Sequence, residues 1–88
     1  MTFVYILQCS DDTLYIGSTN DIKRRIYEHN NLKSGAHYTK IRRPVKLVYQ
    51  EVLETLSLAR KREVVLKKLN RSSKLALVAS YKQKDISL

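Results

Sequence analysis

An α+β fold, with a small three-stranded antiparallel sheet flanked by helices in the order β-β-α-β-α-α, is predicted by three features of the sequence. Two aromatic and β-branched runs flank a cluster of turn residues near the start, a helical repeat follows them, and the segment after Pro44 alternates apolar with polar residues. At 88 residues the chain should form one domain, residues 1–88, that buries about 60 to 65% of its unfolded surface. Such a domain has one thin core, so an active site must lie against the sheet or in a surface groove.

Phe3 to Leu7 is the first strand, Ser10-Asp11-Asp12-Thr13 is turn chemistry, and Leu14 to Gly17 is the second strand. The connection is too long for a two-residue turn and should be an open loop. Asn20 and Asp21 offer cap oxygens to a helix in which Ile22, Arg25, Ile26 and His29 share one face. Residues 33–44 look like a basic loop, and VKLVYQEV from Val45 forms the third, half-buried strand. Thr55 or Ser57 caps a helix running to about Leu69, and Ser72 or Ser73 caps a short final helix carrying Leu75, Val78 and Ala79. In the longer helix Ala59, Glu63 and Leu66 fall in a narrow angular sector, which Leu58, Val65 and Leu69 widen. Glu63 therefore stands at the edge of a buried face.

The charge balance narrows the partner. With 17 Lys and Arg against 8 Asp and Glu, a formal +9, a polyanion is favoured, and nucleic acid leads because each phosphate contact releases counterions. A lysine-rich surface without such a role is the plainer alternative. Residues 60–74 alone hold seven basic side chains and one acid. A single Cys9 makes no internal disulfide and suits a reducing cytoplasm. With that cysteine and two histidines the usual zinc ligand count is not met. No apolar run reaches the roughly 18 to 20 residues of a membrane span, so no membrane partner is expected.

Singly, Tyr5, Tyr15, Arg25, His29 and Glu63 have ordinary explanations: tyrosines in the core, an arginine and a histidine on a surface, a glutamate paired with Arg25, Arg60 or Lys67. Jointly they suit phosphodiester hydrolysis, which needs a base for water, cationic charge on the phosphoryl group and a metal for the phosphate and its leaving oxygen. Tyrosine, with an ordinary pKa of ~10, needs a cationic or hydrogen-bonding neighbour to act as that base.

In this order the residues resemble the GIY-YIG nuclease domain family, in the form of its small standalone members. Tyr5 in FVYIL stands at the first motif, Tyr15-Ile16-Gly17 at the second, and DIKRRIYEH at the first helix. Arg25 falls on the catalytic arginine and His29 on the His/Tyr position one turn on. GAHYTKIRRPVKLVYQE, ARKRE at 59–63 and LKKLNRSSK at 66–74 continue the match, which spans about residues 2 to 80, with Glu63 on the metal-binding glutamate. The first motif lacks the glycine that names the family.

The resemblance implies a metal-dependent cut of one nucleic-acid strand at a time, DNA rather than RNA in first place, with DNA repair among the open pathways. Tyr5 would activate water, with Tyr15 orienting that water or taking the role itself. Arg25 would clamp the phosphate with its planar fork, and His29 would bond a tyrosine or relay a proton. Glu63 would hold Mg²⁺ or Mn²⁺, and Gly17 would let backbone and substrate approach closely. With no room for a separate binding domain, the chain would find its substrate through Lys33, Lys40, Arg42, Arg43, Lys67, Lys68, Arg71 and Lys74, or through a protein partner. The same residues also suit a non-catalytic nucleic-acid-binding module, in which Arg25 contacts phosphate and Glu63 is a structural ion pair.

Overall fold

Phe3 to Leu7 is apolar without alternation because its strand is buried on both faces. In the computed structural model, which describes residues 1–86 with side chains through Tyr81, β1 (Thr2–Gln8) is the central strand of a three-stranded antiparallel sheet ordered β2-β1-β3. Its neighbours are β2 (Leu14–Thr19) and β3 (Lys46–Leu53). The loop between β1 and β2 is open, held by the Cys9 amide on Thr13 O at 2.9 Å and by Asp11, which accepts from the Thr13 amide and hydroxyl.

Each face of the sheet takes different helices. Val4, Ile6, Ile16 and Val48 pack with Ala59 and Leu66 of α3 (Leu56–Lys68) and Val78 of α4 (Arg71–Ile86). Tyr5, Leu7, Cys9 and Val45 pack against Ile22 and Ile26 of α1 (Ile22–Asn31). A bulge in β3, where Ile6 faces Tyr49 but Leu7 faces Leu47, leaves Val48 unpaired and breaks the expected alternation.

Asp21 caps α1 by accepting from the Arg24 amide, and Thr55 caps α3 by accepting from the Leu58 amide. The final helix differs from expectation. It runs 16 residues, and its cap is Asn70, whose Oδ1 accepts from the Ser73 amide, rather than Ser72 or Ser73. The basic loop also contains a one-turn helix, α2 (His37–Lys40), so the order is β-β-α-α-β-α-α. On α3, Leu58 and Val65 are exposed, since the narrow sheet covers only the sector centred on Ala59 and Leu66. No helix among the described residues is long and apolar enough to cross a membrane.

Candidate active site

Tyr5 and Gly17 are opposite one another across the β1–β2 ladder. A Cβ on Gly17 would stand 2.6 Å from the Tyr5 hydroxyl oxygen and 2.8 Å from its Cζ. The missing side chain is therefore what allows the Tyr5 ring to lie across β2 toward the open edge of the sheet. The position read as a point of close approach is thus taken up, in part, by the protein's own phenol. Gly17→Ala is expected to lower unfolding stability by about 1–3 kcal/mol through this overpacking, measured by urea denaturation.

The helical stripe of α1 brings Arg25 and His29 to the same place. Tyr5 Oη lies 2.9 Å from His29 Nε2, and His29 Nδ1 lies 2.7 Å from Thr39 Oγ1 of α2. Tyr5, His29 and Thr39 are all buried. Arg25 Nη1 donates to Glu28 Oε1 at 2.9 Å and to Ser34 O at 3.0 Å. That second bond depends on the chain passing close to α1 at Gly35, where a Cβ would stand 2.6 Å from Glu28 O and 2.9 Å from His29 Cα.

Burial pushes the Tyr5 phenol up to about 12 despite the neighbouring Arg25 guanidinium, and Tyr15 and Glu63 also oppose its ionisation. Burial, and then Arg25, lower the His29 pKa to about 4. At neutral pH the pair is a phenol and an uncharged imidazole. Glu63 thus lies within electrostatic reach of Tyr5, although it comes from the helix on the opposite sheet face. Its carboxylate accepts from Lys67 Nζ at 2.6 Å, and its side chain is 20% exposed, open enough to exchange that partner.

Tyr15 packs its ring edge-on to His29, with centroids 5.2 Å apart. Its outer side stacks on Tyr38 of α2 at 6.0 Å, and the Arg42 guanidinium lies 3.8 Å from the Tyr38 centroid. Arg42 also donates to Asp11 Oδ2 and Tyr38 O. Two neighbouring residues of α2, Tyr38 and Thr39, thus brace Tyr15 and His29. Sequence reasoning missed both, since nothing in the periodicity of a basic loop marks them, and it missed Glu28, which lies off the α1 stripe and pairs with Arg25 three residues before it.

The basic residues divide by what they hold. Lys33 and Lys68 are exposed, while Lys40 and Lys74 are half-buried. Arg71 donates to Asp12 O, tying α4 to the β1–β2 loop, and Lys67 is on Glu63. Arg43 departs from the expectation of a phosphate contact: it donates to His29 O and Leu32 O, closing the last turn of α1, where carbonyls lack helical partners. Arg42, engaged with Asp11 and Tyr38, departs in the same way.

The donor set bears on a metal. Among the described residues no group of three or more His, Cys, Asp and Glu could enclose an ion. A single accessible carboxylate still fits Mg²⁺ or Mn²⁺, since a hydrated Mg²⁺ is commonly held by one or two carboxylates together with substrate phosphates.

The GIY-YIG catalytic domain model matches residues 1–76. The chain is 55% identical over 76 residues to a UPF0213 protein of Syntrophus aciditrophicus, covering 86% of this chain and 87% of the relative. It is 49% identical over 85 residues to a UPF0213 protein of Clostridium perfringens, covering 97% and 90%. The solution structure of a UPF0213 protein from Bacillus halodurans superposes with a TM-score of 0.56 at 39% identity, covering 90% of this chain and 84% of that one. A protein from E. faecalis gives 0.61 at 38% identity, covering 92% and 85%. With the paired tyrosines, the α1 stripe and Glu63 in family order over a shared sheet, the chain belongs to the GIY-YIG domain family.

Proposed function

We propose that the protein is a divalent-metal-dependent endonuclease that hydrolyses phosphodiester bonds of nucleic acid, DNA before RNA. The observation that carries this reading is the gathering of Tyr5, Arg25 and His29 on one sheet face beside Gly17, a residue that has no side chain, with Glu63 of α3 within electrostatic reach of the Tyr5 phenol.

In this reading the Tyr5 oxygen orients the attacking water and receives its proton, with His29 at hydrogen-bonding distance behind it. Arg25, fixed through Nη1 by Glu28 and Ser34, presents the remainder of its fork to the phosphate, where negative charge grows in the transition state. Bound phosphate would also offset Arg25's charge, the second cause of the low His29 pKa, and so favour protonation of that imidazole. Tyr15 closes the other side of His29 and excludes water from it. Glu63 would hold the Mg²⁺ or Mn²⁺, whose contribution when bound is to neutralise phosphate charge and stabilise the leaving oxygen. To hold the ion, Glu63 would exchange its bond from Lys67 for it. Lys33, Lys68 and the neighbouring basic residues hold the backbone on either side, which favours structure over sequence as the basis of selection.

One observation favours the non-catalytic alternative: the Lys67–Glu63 pair is a complete ion pair as it stands. Incubation with Mg²⁺ or Mn²⁺ and labelled single-stranded, duplex, flap and branched DNA and RNA decides between the two. The expected result is product that requires the metal and disappears when Glu63→Ala protein is prepared in parallel. Salt-dependent binding without product from any substrate would leave only the binding module.

A further inference from the structure

We infer that Thr39 sets the tautomer of His29, placing the imidazole proton on Nδ1 and leaving Nε2 as the acceptor of the Tyr5 hydroxyl proton. The catalytic consequence rests on the nuclease reading; the tautomer does not.

The direction of each bond follows from counting protons. Thr39 Oγ1 lies 2.9 Å from Ala36 O, a backbone carbonyl that only accepts, so the single hydroxyl proton of Thr39 points there. What Oγ1 turns to His29 Nδ1, 2.7 Å away, is therefore a lone pair, and Nδ1 must donate. An uncharged imidazole carries one N–H. Nε2 is left with a lone pair, and Tyr5 Oη, 2.9 Å away, is the group that donates to it. Tyr5 is 2% exposed and His29 and Thr39 are 0% exposed, so bulk water does not replace any member of the chain. Every buried side-chain polar atom among the described residues has a partner, as this order of donors and acceptors requires.

The polarity of Tyr5 follows. With its proton turned inward to Nε2, the phenol oxygen keeps its lone pairs for other donors beside Gly17, the neighbouring Arg25 guanidinium among them, and in the nuclease reading the attacking water would be one of those donors. Transfer along this line balances: water loses one proton to Tyr5 Oη, the original Tyr5 proton moves to Nε2, and the imidazolium keeps its Nδ1 proton on Thr39. The opposite tautomer would aim N–H at the phenol oxygen and the phenol proton at the substrate, which blocks acceptance from water. Thr39 is thus a positioning residue that acts through His29.

Long-range ¹H–¹⁵N correlation of the imidazole at neutral pH tests this directly, in a His37→Gln background that removes the other histidine signal. The wild-type ring is expected to show a protonated Nδ1 and a lone pair on Nε2; the opposite pattern overturns the inference. Thr39→Val is expected to shift the ring toward the Nε2-protonated form and to lower kcat by about 10- to 100-fold with little change in KM. Thr39→Ser, which keeps the hydroxyl, restores both readouts to within a few-fold. A Val variant that folds and keeps the wild-type tautomer and rate also overturns the inference. If Val does not fold, the wild-type and Ser spectra still decide. If the wild-type protein cuts no substrate, the spectra stand alone, and the nuclease reading fails without deciding the tautomer.

Discussion

Arg25→Ala is expected to lower metal-dependent cleavage by about 10²- to 10³-fold, the usual cost of removing one fixed donor from developing transition-state charge. Arg25→Lys should fall nearly as far. Nη1 of Arg25 is committed to Glu28 and Ser34, and only a planar fork bonds these partners while still facing a phosphate. Lysine at the same place keeps the charge and loses the geometry. Binding should respond differently. Either change alters at most one phosphate contact, so the slope of log affinity against log salt moves by about one or less. Fold stability should hardly change, because the side chain is 26% exposed and its Glu28 pair is a partly solvated helix pair. Single-turnover cleavage and salt titrations on the same preparations separate the effects. Equal loss of binding and cleavage would make Arg25 a general anchor rather than a clamp on the reacting phosphate.

The sequence shows the fold clearly where a pattern has a physical cause acting over several residues. Phe3–Leu7 reads as a strand, and the structure explains its unbroken apolar character by placing it between two covered faces. The stripe through Ile22, Arg25, Ile26 and His29 faces the sheet because that is the helix's only apolar side, and the two polar members are drawn in with it. Patterns of this kind fail for short elements. Four residues of α2 make too little of a turn to show a period, and its position follows from contacts distant in sequence: Thr39 with His29, and Arg42 with Asp11 across 31 positions. For the same reason the arginines are hard to sort. Nothing local distinguishes Arg43, which closes α1, from the exposed Lys33, because the difference lies in carbonyls more than ten residues away. Asn70 outcompetes Ser72 and Ser73 as a cap because the chain turns into the helix one residue before them. The side chains nominated from sequence are those that need an unusual neighbour; the braces that supply one have no pattern of their own.

Acidification should destabilise the protein through His29 before its carboxylates respond. The folded pKa of His29, about 4, lies below the ordinary 6.5, because burial and the positive charge of Arg25 disfavour the imidazolium; Glu28 opposes this, and Arg43 adds to it. Above pH 6.5 both folded and unfolded chains carry a neutral ring, and the group contributes no slope. Between 6.5 and about 4 the unfolded chain binds a proton that the folded chain excludes, so stability falls as pH falls, by about 3 kcal/mol in all. Below about 4 the ring protonates in both states and the loss stops growing. Glu28 and Glu51 are held below their ordinary 4.5 by Arg25 and Arg62, and their stabilising contributions are lost only as pH falls below that value. The interval from 6.5 to 4.5 therefore belongs mainly to His29. Urea midpoints at half-unit steps should decline across it in the wild type and stay nearly level in His29→Gln, whose side chain does not titrate. A flat wild-type profile would mean that the ring accepts a proton in the folded state at little cost. On acidification Tyr5 would then lose the lone pair at Nε2 as its acceptor within the folded protein, and the buried chain from the phenol to Ala36 would hold in that order only at neutral pH and above.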